Sequence, residues 1–191
     1  MPELYFAYGS NLDFGQMEQR CPGAEYLGVA TLHNHALRMD AAGFATVVNR
    51  RGEHVQGALW DLTHANESKM DGFEGVEDGF YRKQFVGVTY EGDRRPGKSS
   101  SESLSHAYAH DQHEAASVLL DALIYLSARP PFIGATWRSD YLDRICRGAV
   151  QLHLDRATIS QLANMKLVSR ADHNQVLAQA RGLLKTSTPA Q

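Results

Sequence analysis

The order in which two kinds of apolar spacing appear limits this chain more than any other feature. Through residue 110 the apolar residues fall in short, roughly alternating runs broken by turn residues, and most of the C-terminal remainder has helical spacing. Residues 3–8 read as a strand. So do "EYLGVATLHNHALRMD" (25–40), "FATVVN" (44–49) and "VQGALWDL" (55–62), with Gly43, Asn49 and Arg51-Gly52 supplying turns. "THANESKMDGFEG" (63–75) reads as a short helix that Thr63 caps and Gly75 ends. "YRKQFVGVTY" (81–90) is a strand, and "EGDRRPGKSSSES" (91–103) is a flexible polar loop with no sign of a domain boundary. "LSHAYAH" (104–110) returns to a strand. Helices are expected over 114–127, 138–149, 156–164 and 170–184, ahead of a disordered tail at 185–191. Strands first and helices after predict an α+β fold, with the strands in a largely antiparallel or barrel-like sheet. Residues 1–191 are expected to form a single domain.

Several function classes are disfavoured at once. A net charge of -3 gives no electrostatic case for binding nucleic acid or an anionic membrane. The longest apolar runs, such as "SVLLDALIYL" (117–126), carry an Asp and are too short to span a bilayer. The N-terminus has no basic segment followed by an apolar one, so no secretory signal is expected. Cys21 and Cys146 form no CxxC pair and no disulfide framework, which suits a reducing compartment; the cytoplasm is the expected location.

The first informative stretch is "LYFAYGSNL" (4–12). A strand delivers a small polar loop, and Gly9 at its tightest point is expected to let N–H groups converge on an anion. Asp13 and Gln16 have capping-box spacing ahead of Phe14–Arg20, so the loop should sit at a helix N-terminus, which favours negative charge. The spacing proposes a carboxylate or a phosphate without choosing between them.

The second is "MDGFEGVEDGFYRK" (70–83). Glu74 lies among Phe73, Gly75 and Val76 at a helix end, where burial and the negative end of the helix dipole both disfavour ionisation. That places its pKa toward the range useful to a general acid or base. Glu77 and Asp78 lie in a polar turn and are expected to be solvated. From this stretch alone, the plain structural role for Glu74, capping a turn, is the reading to prefer.

Taken together, "YFAYGSNL", "VQGALWDL" and "MDGFEGVEDGFYR" closely resemble the γ-glutamylcyclotransferase-like family. The resemblance continues at Tyr108 in "HAYAH" and, more faintly, at Tyr141 and Gly148-Ala149 in "SDYLDRICRGA". It covers residues 4–150 and is strongest over 4–82. It implies a mixed β-barrel with flanking helices and an enzyme that cyclises the glutamyl group of a γ-glutamyl amide to 5-oxoproline, releasing the amine. It further implies that Tyr8, Gly9, Ser10, Asn11 and Leu12 hold the glutamyl end, that Glu74 is the catalytic acid/base, and that Tyr108 lines the site. The anion held by the loop would then be the glutamyl α-carboxylate.

The chemistry suits these residues. The substrate's own α-amine is the nucleophile, so neither a Ser nor a Cys nucleophile, nor a cofactor, is needed; holding the amine and γ-carbonyl together is the main task. His106, His110 and His113 tempt a metal reading, but no HExxH or cysteine set accompanies them and no metal is expected. "HNH" (33–35) falls inside a predicted strand of a chain with no basic surface, which argues against a nuclease. The partner expected is a small γ-glutamyl substrate, with a homodimer left open. Two alternatives stand beside cyclotransfer: a non-catalytic small-molecule binding module, and an enzyme that removes a protecting γ-glutamyl group during biosynthesis. The 91–103 loop and the helical C-terminal third follow the family pattern least, so the leaving amine is the least determined part of the substrate.

Overall fold

The structure, a computed structural model, describes residues 3–90, 117–131 and 139–162. The strands are β1 (Glu3–Ala7), β2 (Glu25–Met39), β3 (Ala45–Leu62), β4 (Tyr81–Tyr90) and β5 (Val118–Ser127). They close into a barrel in the order β1-β3-β2-β4-β5. Helix α1 (Phe14–Arg20) follows β1, α2 (His64–Glu74) links β3 to β4, and α3 (Ser139–Gln151) flanks the barrel. The α+β expectation and its mixed barrel are therefore what the chain adopts. Tyr108, the 91–103 loop, the 104–110 strand, the histidines at 106, 110 and 113, the 170–184 helix and the tail all lie outside the described residues.

Local signals account for α2. The Thr63 side chain accepts from the Asn66 N–H at 3.2 Å. At the other end Gly75 takes a left-handed conformation (φ 62°), and the N–H groups of Gly75 and Val76 return to the carbonyls of Gly72 and Asp71. This is a Schellman ending, which a glycine accepts without a Cβ penalty.

Two expectations fail in the sheet. First, 44–49 and 55–62 are not separate strands: β3 runs unbroken, paired with β2 along its length. The expected Arg51-Gly52 turn survives as an excursion within it. Between the pairs His33↔His54 and His35↔Asn49 lies Asn34 alone on β2, opposite residues 50–53 on β3. Asn34 and Gly52 both take positive φ (57° and 83°), and the Asn34 side chain accepts from the Gly52 N–H at 3.1 Å. The turn chemistry was real, but the ladder resumes beyond it as a bulge.

Second, the helix expected over 114–127 is contradicted, because 118–127 is β5. It pairs antiparallel with β4 from Tyr81↔Ser127 to Tyr90↔Val118 and parallel with β1 at Tyr5↔Leu123. A ten-residue apolar run fits a buried strand as well as a buried helix. Only a strand there supplies the hydrogen-bonding partner that β4 needs and closes the barrel. Its residues Ala122–Leu126 are all buried, as in a strand covered on both faces. The helices expected over 138–149 and 156–164 are present as α3 and as a helical stretch over 156–162.

Helix α3 matters because the N-terminal loop rests on it. Leu142, Ile145 and Ala149, on one helical face, are almost fully buried. Gly148 on the same helix touches the loop so closely that a Cβ there would stand 2.5 Å from the Leu12 carbonyl carbon. Two effects oppose each other in Gly148→Ala. Helix propensity favours alanine by about 1 kcal/mol, whereas overpacking against backbone costs about 1–3 kcal/mol. The clash wins because a backbone carbonyl cannot step aside as a side-chain tip does. Thermal denaturation of Gly148→Ala should give a Tm roughly 2–8 °C below the parent; an unchanged or higher Tm would mean the loop is not seated on α3 as described.

Candidate active site

The loop after β1 is built by its own short-range bonds. Tyr8 donates its hydroxyl proton to the Tyr125 carbonyl at 2.6 Å, tying the loop's first residue to β5. Ser10–Leu12 form one 3-10 turn, in which the N–H groups of Leu12 and Asp13 donate to Gly9 and Ser10 carbonyls. The Ser10 and Asn11 N–H groups, at the leading end, have no partner within the turn. Asp13 caps α1 by accepting from the Gln16 N–H at 2.9 Å. The other half of the capping box is absent. The Gln16 side-chain amide instead donates to Ser10 Oγ and Asn11 Oδ1, both at 2.7 Å, bracing the loop from the helix.

Gly9 also has a packing role in the loop. Its φ is -113°, so no left-handed conformation is involved. What a side chain would meet is the Tyr141 hydroxyl, 3.3 Å from a Cβ, and the Ala45 methyl at 3.5 Å. Glycine here keeps the cavity wall thin.

Asn11 is the hub. It is 3% exposed. Its Nδ2 donates to Tyr5 Oη (2.8 Å) and Glu74 Oε1 (3.3 Å), and its Oδ1 accepts from Gln16 and from Arg20 (3.0 Å). Glu74 ends α2, directly before the left-handed Gly75. Its side chain is 15% exposed and takes a hydrogen bond from the Arg20 guanidinium at 3.1 Å. Burial raises the Glu74 carboxyl above the usual range, and outweighs the lowering pull of Arg20 and of the Asn11 amide. Glu77 and Asp78 are exposed.

These groups face a narrow inner cavity of about 30 Å³, bounded by Gly9, Ser10, Asn11 and Glu74. Apart from Ala45, its remaining wall is phenolic: Tyr5 and Tyr8 from the β1 end, Tyr81 of β4, Tyr125 of β5 and Tyr141 of α3. Burial pushes all five hydroxyls well above the ordinary phenol range, so they remain neutral. Tyr81 donates to the Ala45 carbonyl, and Tyr141 accepts from the Ala45 N–H, both at 3.1 Å. An outer chamber of about 390 Å³ shares Ser10, Glu74, Tyr81 and Tyr141 with the inner one. Glu74 thus faces a small polar space on one side and a larger open one on the other.

The structure brings Tyr8, Gly9, Ser10, Asn11 and Glu74 to one cavity. Leu12 turns away from it, 1% exposed beneath α3 at Gly148. Sequence reasoning missed Arg20. Its signal was present: it follows Gln16 by four residues, on the helical face that meets the loop. It also missed Tyr5, Tyr81 and Tyr125, for which strand alternation alone gives no sign of a shared site. Among the described residues, no three His, Cys, Asp or Glu groups converge in a way that could hold a metal ion. Among them, too, no helix is long and apolar enough to cross a membrane.

Because Arg20 lowers the Glu74 pKa, Arg20→Gln should let the carboxyl titrate at still higher pH. Carbon-13 NMR of the Glu74 side-chain carboxyl, recorded against pH in both proteins, measures the shift directly. A titration moving to lower pH would refute the electrostatic role given to Arg20.

The site is thus a buried carboxylate set against a Gly-Ser-Asn loop on a closed five-stranded barrel. The sequence pattern described as "Gamma-glutamyl cyclotransferase, AIG2-like" matches residues 5–127, and the chain belongs to that family. A gamma-glutamylcyclotransferase of Bos taurus is 35% identical over 88 residues, which cover 41% of this chain and 47% of that protein. The chain thus spans about half the length of the curated relatives it matches. Among solved structures, one titled gamma-glutamyl cyclotransferase superposes with a TM-score of 0.66 at 24% identity, over 85% of this chain and 87% of that one. An uncharacterized protein from Homo sapiens gives a TM-score of 0.64 at 25% identity, over 85% and 86% respectively.

Proposed function

We propose that this chain is a single-domain γ-glutamyl cyclotransferase, with Glu74 as its acid/base and the Tyr8–Asn11 loop as the holder of the glutamyl end. The observation that supports this best is the Glu74 carboxyl itself. It is buried, raised in pKa, and hydrogen-bonded to Asn11 of the loop where the two chambers meet.

In this reading the glutamyl group enters the inner cavity and its α-carboxylate takes the Ser10 and Asn11 N–H groups. Glu74 accepts one proton from the α-ammonium. The freed amine attacks the γ-carbonyl carbon, forming the new C–N bond and an oxyanion, toward which Tyr5, whose hydroxyl accepts from Asn11, can turn its proton. Collapse breaks the original γ-amide C–N bond as Glu74 returns its proton to the departing nitrogen; Glu74 then relays the surplus proton of the ring nitrogen to the released amine, which leaves as an ammonium. The products are 5-oxoproline and the free amine, with no water consumed. Tight positioning suits a ring closure, where effective molarities reach about 10⁵–10⁸ M.

The test is to incubate the protein with a panel of γ-glutamyl amides and look for 5-oxoproline by mass spectrometry. Substrates whose α-carboxylate is replaced by a neutral amide should lose roughly 10- to 100-fold in kcat/KM, since hydrogen bonds to charged groups contribute about 1.5–3 kcal/mol. Binding without any 5-oxoproline would favour the non-catalytic module instead.

A further inference from the structure

The outer chamber carries information about the amine that leaves. Three guanidiniums line it, from Arg20, Arg129 and Arg144, against two carboxylates, Glu74 and Asp140. Arg20 is committed to Glu74. Arg129 lies 3.6 Å from the buried Asp40 carboxylate. Arg144 donates instead to a neutral group, the Gln16 side-chain carbonyl, while standing near enough to Asp13 to help lower its pKa. Of the three it is the one whose hydrogen bonding leaves an anion most to gain.

The same chamber has aromatic walls that the core does not require. Phe73 and Phe80 are 54% and 47% exposed, unusual for large apolar side chains, yet both line it. Each ring has a guanidinium over its face: Arg20 at 5.1 Å from the Phe73 centroid and Arg129 at 4.7 Å from that of Phe80. Such stacking holds the rings in place at the edge of the space where the amine must sit.

Resting on the cyclotransferase reading, we propose that the outer chamber selects a leaving amine that bears both an aromatic side chain and a carboxylate, that is, an aromatic α-amino acid. Phe73 and Phe80 take the ring and Arg144 takes the carboxylate. A leaving amine with neither group, such as a simple diamine, gains nothing from either feature of the chamber and is disfavoured.

The experiment compares the γ-glutamyl amides of L-phenylalanine, L-alanine, phenethylamine and a diamine. The phenylalanine compound should have the highest kcat/KM. Phenethylamine, which lacks the carboxylate, should fall by about 10- to 100-fold. Alanine, which lacks the ring, should fall by roughly 10-fold or more, and the diamine should be the poorest. Arg144→Gln should abolish the preference for phenylalanine over phenethylamine, through KM, with the phenethylamine compound nearly unaffected. A merely structural role through Gln16 would lower both alike. Phe73→Ala should abolish the preference for phenylalanine over alanine.

Calorimetric binding of free L-phenylalanine and of phenethylamine, in the parent and in Arg144→Gln, supplies a readout that needs no turnover. If all four amides yield 5-oxoproline at similar rates, the cyclotransferase reading stands and the selectivity is overturned. If none yields 5-oxoproline but L-phenylalanine binds in an Arg144-dependent way, the reverse holds. If L-phenylalanine and phenethylamine bind alike and Arg144→Gln changes neither, the chamber assignment fails.

Discussion

Glu74→Gln should lose about 10²- to 10⁴-fold in kcat on a γ-glutamyl amide while folding normally. Glutamine keeps the side chain's shape and can still bond Asn11 and Arg20, but it cannot take a proton from the substrate ammonium. The variant should also be no less stable near neutral pH. The folded-state pKa of Glu74 is raised, chiefly by burial. The stability this carboxyl contributes is therefore fully present only below its unfolded pKa, and is lost as pH rises through the folded one. Glutamine does not ionise and escapes that loss. Denaturant unfolding of both proteins at acidic and neutral pH should show the variant gaining relative to the parent as pH rises. A variant with near-parental turnover would move the acid/base role elsewhere, with Glu77 next in sequence; its exposure makes it a poor substitute.

Asn11→Leu should damage both stability and activity, because one side chain serves five partners, Met70 Sδ among them. Leucine fills a similar volume but offers Tyr5, Glu74, Gln16 and Arg20 nothing to bond. Gln16 keeps Ser10 and Arg20 keeps Glu74, so the loss is partial rather than complete. A buried polar group left unsatisfied costs about 1–3 kcal/mol, and chemical denaturation should show a loss of that order. The kcat/KM should fall by roughly 10- to 100-fold, since Glu74 also loses a hydrogen bond that favours its ionised form. The acid limb of the pH–rate profile should accordingly move to higher pH. Full activity with lowered stability would make Asn11 a purely structural brace.

What the sequence determined by itself is everything governed by neighbours along the chain. Helix α2 was legible at both ends because Thr63 and Gly75 act within one turn of themselves. The Asp13 cap, β4 and the polar Gly-Ser-Asn turn were legible for the same reason. The placing of Glu74 at a helix end came with α2, and with it the direction of its pKa shift. The family itself could be read from three short motifs, since each packs its residues into a local run.

Only the tertiary structure decided the rest, because each remaining choice depends on a partner far away in the chain. The run at 118–127 became a strand because β4 and β1 needed an edge between them, not because of its own periodicity. The Gln16 amide left the capping box for Ser10 and Asn11 because α1 folds back against the loop that precedes it. Arg20 meets Glu74 across a separation of 54 residues, and Tyr8 meets Tyr125 across 117. Gly148 is small because Leu12, far earlier in the chain, presses its backbone against α3. Periodicity and capping encode the conformation of a segment; which segments meet is set by burial and by closing the hydrogen-bond ladder, and those are properties of the whole fold.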